Sequence, residues 1–210
     1  MAARKDIDIL QGKTFSLVLR WETVLVISKP ITAISLAAGA PRLTVPAHGA
    51  PNGWRCAVTR VGGMKQINAE NYPPSDTDFR PATVIDANTI EFNGVTPCDD
   101  SGKEWPAYTS GGFIHYNTPV DLTGYTARME IKDKIGGTVL ASADSADTPL
   151  DILDIAIDTT GKTITLTIGA TDTAAIAWKK GVYDLEMVSS AGVVTAILTG
   201  SVSVTREVTT

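Results

Sequence analysis

Residues 119–134, Pro119-Val120-Asp121-Leu122-Thr123-Gly124-Tyr125-Thr126-Ala127-Arg128-Met129-Glu130-Ile131-Lys132-Asp133-Lys134, open as a turn and continue as a strand. Pro119 fixes φ and Gly124 is free to take a positive φ. From Thr126 the pattern has period two. Ala127, Met129 and Ile131 mark one face, and Arg128, Glu130 and Lys132 the other, as in a half-buried antiparallel strand. Phe15, Leu17, Leu19 and Trp21 alternate in the same way against Ser16, Val18 and Arg20, which makes that segment the expected partner. A long stretch of different texture separates the two. The reading is a β-domain opened between early strands to admit a second domain: 1–28 plus 113–210 as a discontinuous unit, and 29–112 as the insert.

The insert is dense in proline, with Pro30, Pro41, Pro46, Pro51, Pro73, Pro74, Pro81, Pro97 and Pro106. Its apolar segments are short: 31–36, 42–46, 54–61, 82–85 and 89–92, each bounded by Gly, Asn, Asp or Pro. Such spacing predicts a small β-barrel or curled sheet. The C-terminal part predicts strands at 139–141, 152–157, 163–168, 182–188, 193–198 and 201–208. The Ile135-Gly136-Gly137-Thr138 turn joins the first of these to the 126–132 strand. Thr171-Asp172 is expected to cap a short helix over 173–178. The fold class is therefore all-β: an antiparallel, immunoglobulin-like β-sandwich with one short helix, interrupted by an inserted small β-barrel.

The 210 residues suffice for one or two domains with a real core. Hydrophobic residues at 43% and charged residues at 20% are a globular balance. Net charge is −5, with Lys179-Lys180 the densest basic pair, so a concentrated nucleic-acid-binding face is not expected. No run approaches the roughly 18 apolar residues that cross a bilayer, so no membrane insertion is expected. Residues 1–8 are too charged for a signal peptide, which predicts synthesis in a bacterial cytoplasm without export. Cys56 and Cys98, far apart, read as reduced structural thiols.

Asp6-Ile7-Asp8-Ile9-Leu10-Gln11-Gly12, then Val120 to Ile131, then Gly181 to Val188 with Gly200-Ser201-Val202-Ser203-Val204, resemble the N-terminal domain of tailed-bacteriophage upper-baseplate and tail-fibre-attachment proteins. The resemblance covers residues 1–24 and about 115–210. In those relatives the early strand runs almost directly into the Asp-Leu-Thr-Gly-Tyr segment; this chain departs by carrying the insert. The insert, through Ala47-His48-Gly49, Val61 to Asn68, Val84 to Ile90 and Tyr108 to Gly112, is similar to a module of phage tail proteins. That module resembles a small β-barrel half-domain of ubiquitin-activating enzymes. The likeness implies fold only.

No nucleophile elbow, phosphate loop or dinucleotide fingerprint occurs, and no catalytic, cofactor-binding or metal-ligating residue is assigned. His48 and His115 are the only histidines and read as structural or surface residues. The carboxylates Asp99-Asp100 and Asp144, Asp147, Asp151, Asp154 and Asp158 read as solvated turns. Trp21 and Trp178 are expected in a core. Trp54, Trp105 and Tyr108 are the candidate interaction surface, against the alternative that they fill the small barrel.

The expected function is a non-enzymatic structural protein of a tailed-phage virion, in the tail region. It would assemble with tail, baseplate, collar or fibre subunits as a symmetric homo-oligomer through edge strands and the termini 1–6 and 206–210. The alternative is a receptor- or glycan-binding module using Trp54, Trp105 or Tyr108.

Overall fold

A computed structural model describes residues 2–37, 39–99, 101–146 and 152–207. In chain order the first strands are β1 Ala3–Arg4, β2 Ile7–Leu10, β3 Phe15–Arg20, β4 Glu22–Pro30, β5 Ala33–Ala37, β6 Ala40–Thr44 and β7 Arg55–Gly62. There follow β8 Arg80–Asp86, β9 Thr89–Phe92, β10 Ser110–Pro119, β11 Thr126–Lys132, β12 Val139–Asp144, β13 Leu153–Asp158 and β14 Thr163–Ile168. Helix α1 Ala170–Ala175 precedes β15 Lys180–Val188 and β16 Val194–Thr205.

The chain divides into two compact units, Met1–Trp21 with Asp121–Thr210, and Glu22–Val120. The boundaries thus fall at 21 and 121 rather than at the expected 28 and 113. The cause is pairing: β4 is the antiparallel neighbour of β10, with Ile27 opposite Tyr116 and Val26 opposite Asn117. Both flanks of the expected insert are strands of the inner sheet.

In the outer unit β1, β16, β15, β11 and β12 follow one another in a sheet, and β2 also pairs with β16. A second sheet runs β13-β14-β3, giving a two-sheet, sandwich-like arrangement. The expected pairing of 15–21 with 126–132 does not form. β3 instead pairs with β14, from Phe15 opposite Ile168 to Arg20 opposite Thr163. The unbroken alternation of β14 explains this: Ile164, Leu166 and Ile168 are all buried, and the register sets them against Leu19, Leu17 and Phe15. Ala127, Met129 and Ile131 are buried as their period-two spacing predicts, beside Tyr183, Leu185 and Met187. Each fully buried apolar side chain of this size contributes about 1.5–3 kcal/mol.

The expected strands 193–198 and 201–208 are one strand, β16, over its described length. Gly200 keeps it continuous where the N-terminal segment crosses, because a Cβ there would overlap the Lys5 carbonyl. The helix begins earlier than expected, after Gly169 instead of Thr171-Asp172. Thr173 is its buried residue, with Oγ1 donating to the Lys13 and Ala170 carbonyls, each at 2.9 Å. A hydroxyl so used cannot stand at a solvent-facing helix start.

The inner unit is one seven-stranded sheet in the order β4-β10-β7-β8-β9-β6-β5. Among the described residues no pairing joins β4 to β5, although between them Ile31 N–H donates to the Gly112 carbonyl of β10 and Thr32 N–H to the Thr44 carbonyl of β6; no closed barrel is detected, and of the expected small barrel or curled sheet only the antiparallel sheet is shown. Its core gathers Leu43, Trp54, Cys56, Val58, Ile90, Phe92, Ile114 and Tyr116. Prolines sit where a missing N–H is tolerated, as at Pro30 where the edge strand β4 ends.

Candidate functional site

β4 breaks the alternation that governs the other strands. Thr23-Val24-Leu25-Val26-Ile27 carries no charge, and Val24, Leu25 and Val26 are 93%, 69% and 54% exposed. Three successive apolar residues in water are an unsatisfied surface, since a one-sided strand buries every second residue.

The backbone phase shows which groups are open. Ile31 N–H donates to the Gly112 carbonyl at 2.9 Å, and Thr118 Oγ1 donates to the Leu25 carbonyl at 2.8 Å. Odd-numbered residues of this segment therefore turn their peptide groups toward β10. Even-numbered residues, Val24, Val26 and Ser28, turn theirs away, to the side on which, among the described residues, no strand pairs with them. Between Val26 and Glu22 residues 23–25 stand opposite Thr118 alone, a bulge that pushes Val24 outward. Charges occur only at the strand's ends: Glu22, paired with Arg55 at 2.6 Å, and Lys29. Edge strands are ordinarily guarded by charge, proline or a bulge; on β4 these lie at Glu22, the 23–25 bulge, Lys29 and Pro30, and Val26 and Ile27 between them carry none.

In the outer unit the solvent face of β11, β12, β15 and β16 lines a trough of about 950 Å³. It carries Arg128 bonded to Glu186 at 2.7 Å and Lys132 bonded to Glu130 at 2.7 Å, with Asp184 and Ser201 between the strands. Its charged residues come from the polar half of the period-two pattern, and Met129, Leu153, Val182 and Tyr183 also line it.

The aromatic candidates divide. Trp54 is fully buried and its Nε1 donates to the Asn117 carbonyl at 2.8 Å, so it fills the core and presents no surface. Trp105 and Tyr108 are half-buried against the same core, and Tyr108 Oη donates to the Gly111 carbonyl at 3.0 Å. The three do not form an exposed patch. Trp21 and Trp178, expected in a core, are half-buried, and Trp21 meets Tyr125 edge-on at 5.6 Å. Tyr72 and Phe113 are exposed aromatic rings of the inner unit, and Tyr72 lies under the Arg60 guanidinium at 4.5 Å.

His48 is buried, with Nε2–H donating to the Asp86 carbonyl at 2.8 Å and Nδ1 accepting from Ala50 N–H at 3.0 Å. Both nitrogens are used in holding a turn. His115 shares a 2.8 Å hydrogen bond with Thr59, and burial followed by the Arg60 charge pushes its pKa down. Burial pushes the Cys56 thiol up to about 12, which keeps it protonated and inert; Cys98 is also a free thiol. Among the described residues no three or more His, Cys, Asp or Glu side chains gather as a metal site.

Asp99 and Asp158 each accept from backbone N–H groups of the following turn. Asp144 does the same for Ala146, whereas Asp154 lies on β13 and lines the trough. Asp100, Asp147 and Asp151 lie outside the described residues. The N-terminal segment is not free for strand addition, because β1 pairs with β16 and Lys5 N–H donates to the Thr199 carbonyl at 3.0 Å. At the other end, Glu207 pairs with Lys13 at 2.6 Å, and residues 208–210 lie outside the described residues.

No protein-family model and no curated protein sequence matches this chain.

Proposed function

We propose that this chain is a structural subunit that assembles with neighbouring proteins through the open edge of β4, in the tail or baseplate of a tailed-bacteriophage virion. The exposed run Val24-Leu25-Val26 on an unpaired edge carries the reading. Its backbone groups template a further strand while its side chains supply apolar area that water disfavours. The virion setting rests on the resemblance of residues 1–24 and about 115–210 to phage baseplate and fibre-attachment domains. The partners would be tail, baseplate, collar or fibre subunits, arranged by the symmetry of the particle.

The test is co-expression of the full chain with the structural proteins encoded beside it. The expected result is a stoichiometric complex lost in Val26→Lys, a variant that keeps the wild-type circular dichroism spectrum. A chain that stays monomeric beside each of them overturns the proposal.

A second reading, a glycan- or receptor-binding module, loses Trp54 because that ring is sealed. The ion pairs Arg128–Glu186 and Lys132–Glu130 in the trough support it instead, since they offer fixed donors and acceptors to hydroxyl groups. Glycan-array binding abolished by Asp184→Asn, with the fold intact, would promote it over assembly.

A further inference from the structure

We infer that Asn93 is a site of spontaneous covalent modification, at which Gly94 N attacks the Asn93 side-chain amide, ammonia leaves, and water opens the succinimide to aspartate or isoaspartate. The inference is independent of the assembly reading. Asn-Gly occurs twice in the chain, at Asn52-Gly53 and Asn93-Gly94. A glycine after asparagine puts no Cβ in the way of the five-membered ring and leaves the main chain free to reach it. Both dipeptides therefore have the chemistry, and the fold separates them.

Both asparagines are exposed, and both glycines hold a positive φ, 72° at Gly53 and 66° at Gly94. Both side-chain carbonyls accept a hydrogen bond, Asn52 Oδ1 from Val84 N–H at 3.0 Å and Asn93 Oδ1 from the Thr83 hydroxyl at 2.8 Å. In each case a donor faces the oxygen on which negative charge gathers as the amide is attacked. The nucleophile is what differs. Gly53 N–H donates to the Ala82 carbonyl at 2.9 Å, so its nitrogen must first break from β8. Among the described residues no acceptor takes the Gly94 N–H. The space beside Gly94 is also open: apart from its chain neighbours, no heavy atom lies within 4 Å of where a Cβ would stand.

Water is the one co-reactant. Solvent takes the Gly94 proton as the N–Cγ bond forms, and the Cγ–Nδ2 bond breaks to release ammonia. Hydrolysis at Cγ restores the peptide bond and leaves aspartate. Hydrolysis at the main-chain carbonyl carbon leaves isoaspartate, and nothing is oxidised or reduced. The product alters the end of the β8–β9 pair, where Asn93 N–H donates to the Pro81 carbonyl at 3.2 Å. Aspartate adds a carboxylate two residues from Glu91, which holds Arg42 at 2.7 Å. Isoaspartate adds a methylene to the main chain and displaces the Pro81 and Thr83 contacts.

Peptide mass spectrometry of the full wild-type chain, aged in mildly alkaline buffer, tests the site. Asn93 should lose its amide faster than Asn52 by roughly two- to tenfold, the slowing that one hydrogen bond imposes on a step that must break it. In concentrated guanidinium chloride the two rates should converge, because the difference belongs to the fold. Folded Asn93→Gln chains should accumulate much less isoaspartate than wild type.

An Asn52 that reacts as fast as Asn93 in the folded chain overturns the inference. So does an Asn93 that stays intact while the unfolded chain reacts, or a rate ratio that denaturant leaves unchanged. Equal isoaspartate in the Asn93→Gln and wild-type chains would do the same.

Discussion

Trp54 Nε1 donates to the carbonyl of Asn117, the residue that stands opposite Val26 across the β10–β4 pairing. A core side chain is thus tied to the strand that supports the exposed edge. Burial of the indole and orientation of β10 are one arrangement, and the edge is as firm as the core behind it.

Trp54→Ala should destabilise the inner unit by about 3–5 kcal/mol, the range for emptying a buried aromatic site. Trp54→Phe keeps most of the volume but leaves the Asn117 carbonyl without this donor, and should cost about 1–3 kcal/mol. Denaturant unfolding followed by circular dichroism measures both. A Trp54→Ala chain as stable as wild type would show that the ring is not a core element.

Gly200→Ala should loosen the N-terminal segment. Its Cβ would overlap the Lys5 carbonyl, which also accepts from Tyr183 Oη at 2.8 Å, so the backbone of one strand must move. Amide exchange should rise across residues 5–10 while β11 and β15 remain protected. Unchanged protection at Ile7 and Ile9 would contradict the close crossing.

Asp121 accepts from Lys162 Nζ at 2.8 Å and from the Thr123 hydroxyl and amide, and these bonds hold its pKa down to about 2. The sign follows: its contribution to stability is present above the ordinary carboxylate value of about 3.9 and is lost as pH falls through 2. Melting temperature against pH should therefore fall less steeply between about 4 and 2 in Asp121→Asn than in wild type. Equal slopes would show that the bond does not form in solution.

Cys56, with its thiol pushed up to about 12 by burial, should resist iodoacetamide in the folded chain and react on unfolding, whereas half-exposed Cys98 should react first. Peptide mass spectrometry separates the two. Early labelling of Cys56 would place it outside the core.

Strand identity was legible where one face is buried. Thr126–Lys132 and Thr163–Ile168 alternate because water lies on one side only, and both form as the alternation predicts. Partner choice was not legible. The apolar set of Phe15–Arg20 suits β11 and β14 equally, and only the packing of two sheets decides for β14. The boundary was missed because Glu22–Pro30 follows β3 after Trp21 alone, while its partner β10 lies far along the chain. Trp54, Trp105 and Tyr108 drew attention as aromatics beside turns, yet turn residues flank buried strands as readily as exposed ones. The β4 edge left a signal that could have been used. An apolar run without alternation has more hydrophobic faces than one side of a sheet can cover.

Amide hydrogen exchange at Val26 and Ser28, followed as the full chain assembles, tests the role of the edge most directly. Those amides should exchange freely in the dilute chain and become protected as the complex with neighbouring subunits forms. Exchange that stays fast in an assembly shown to be complete would mean that the edge of β4 takes no part in it.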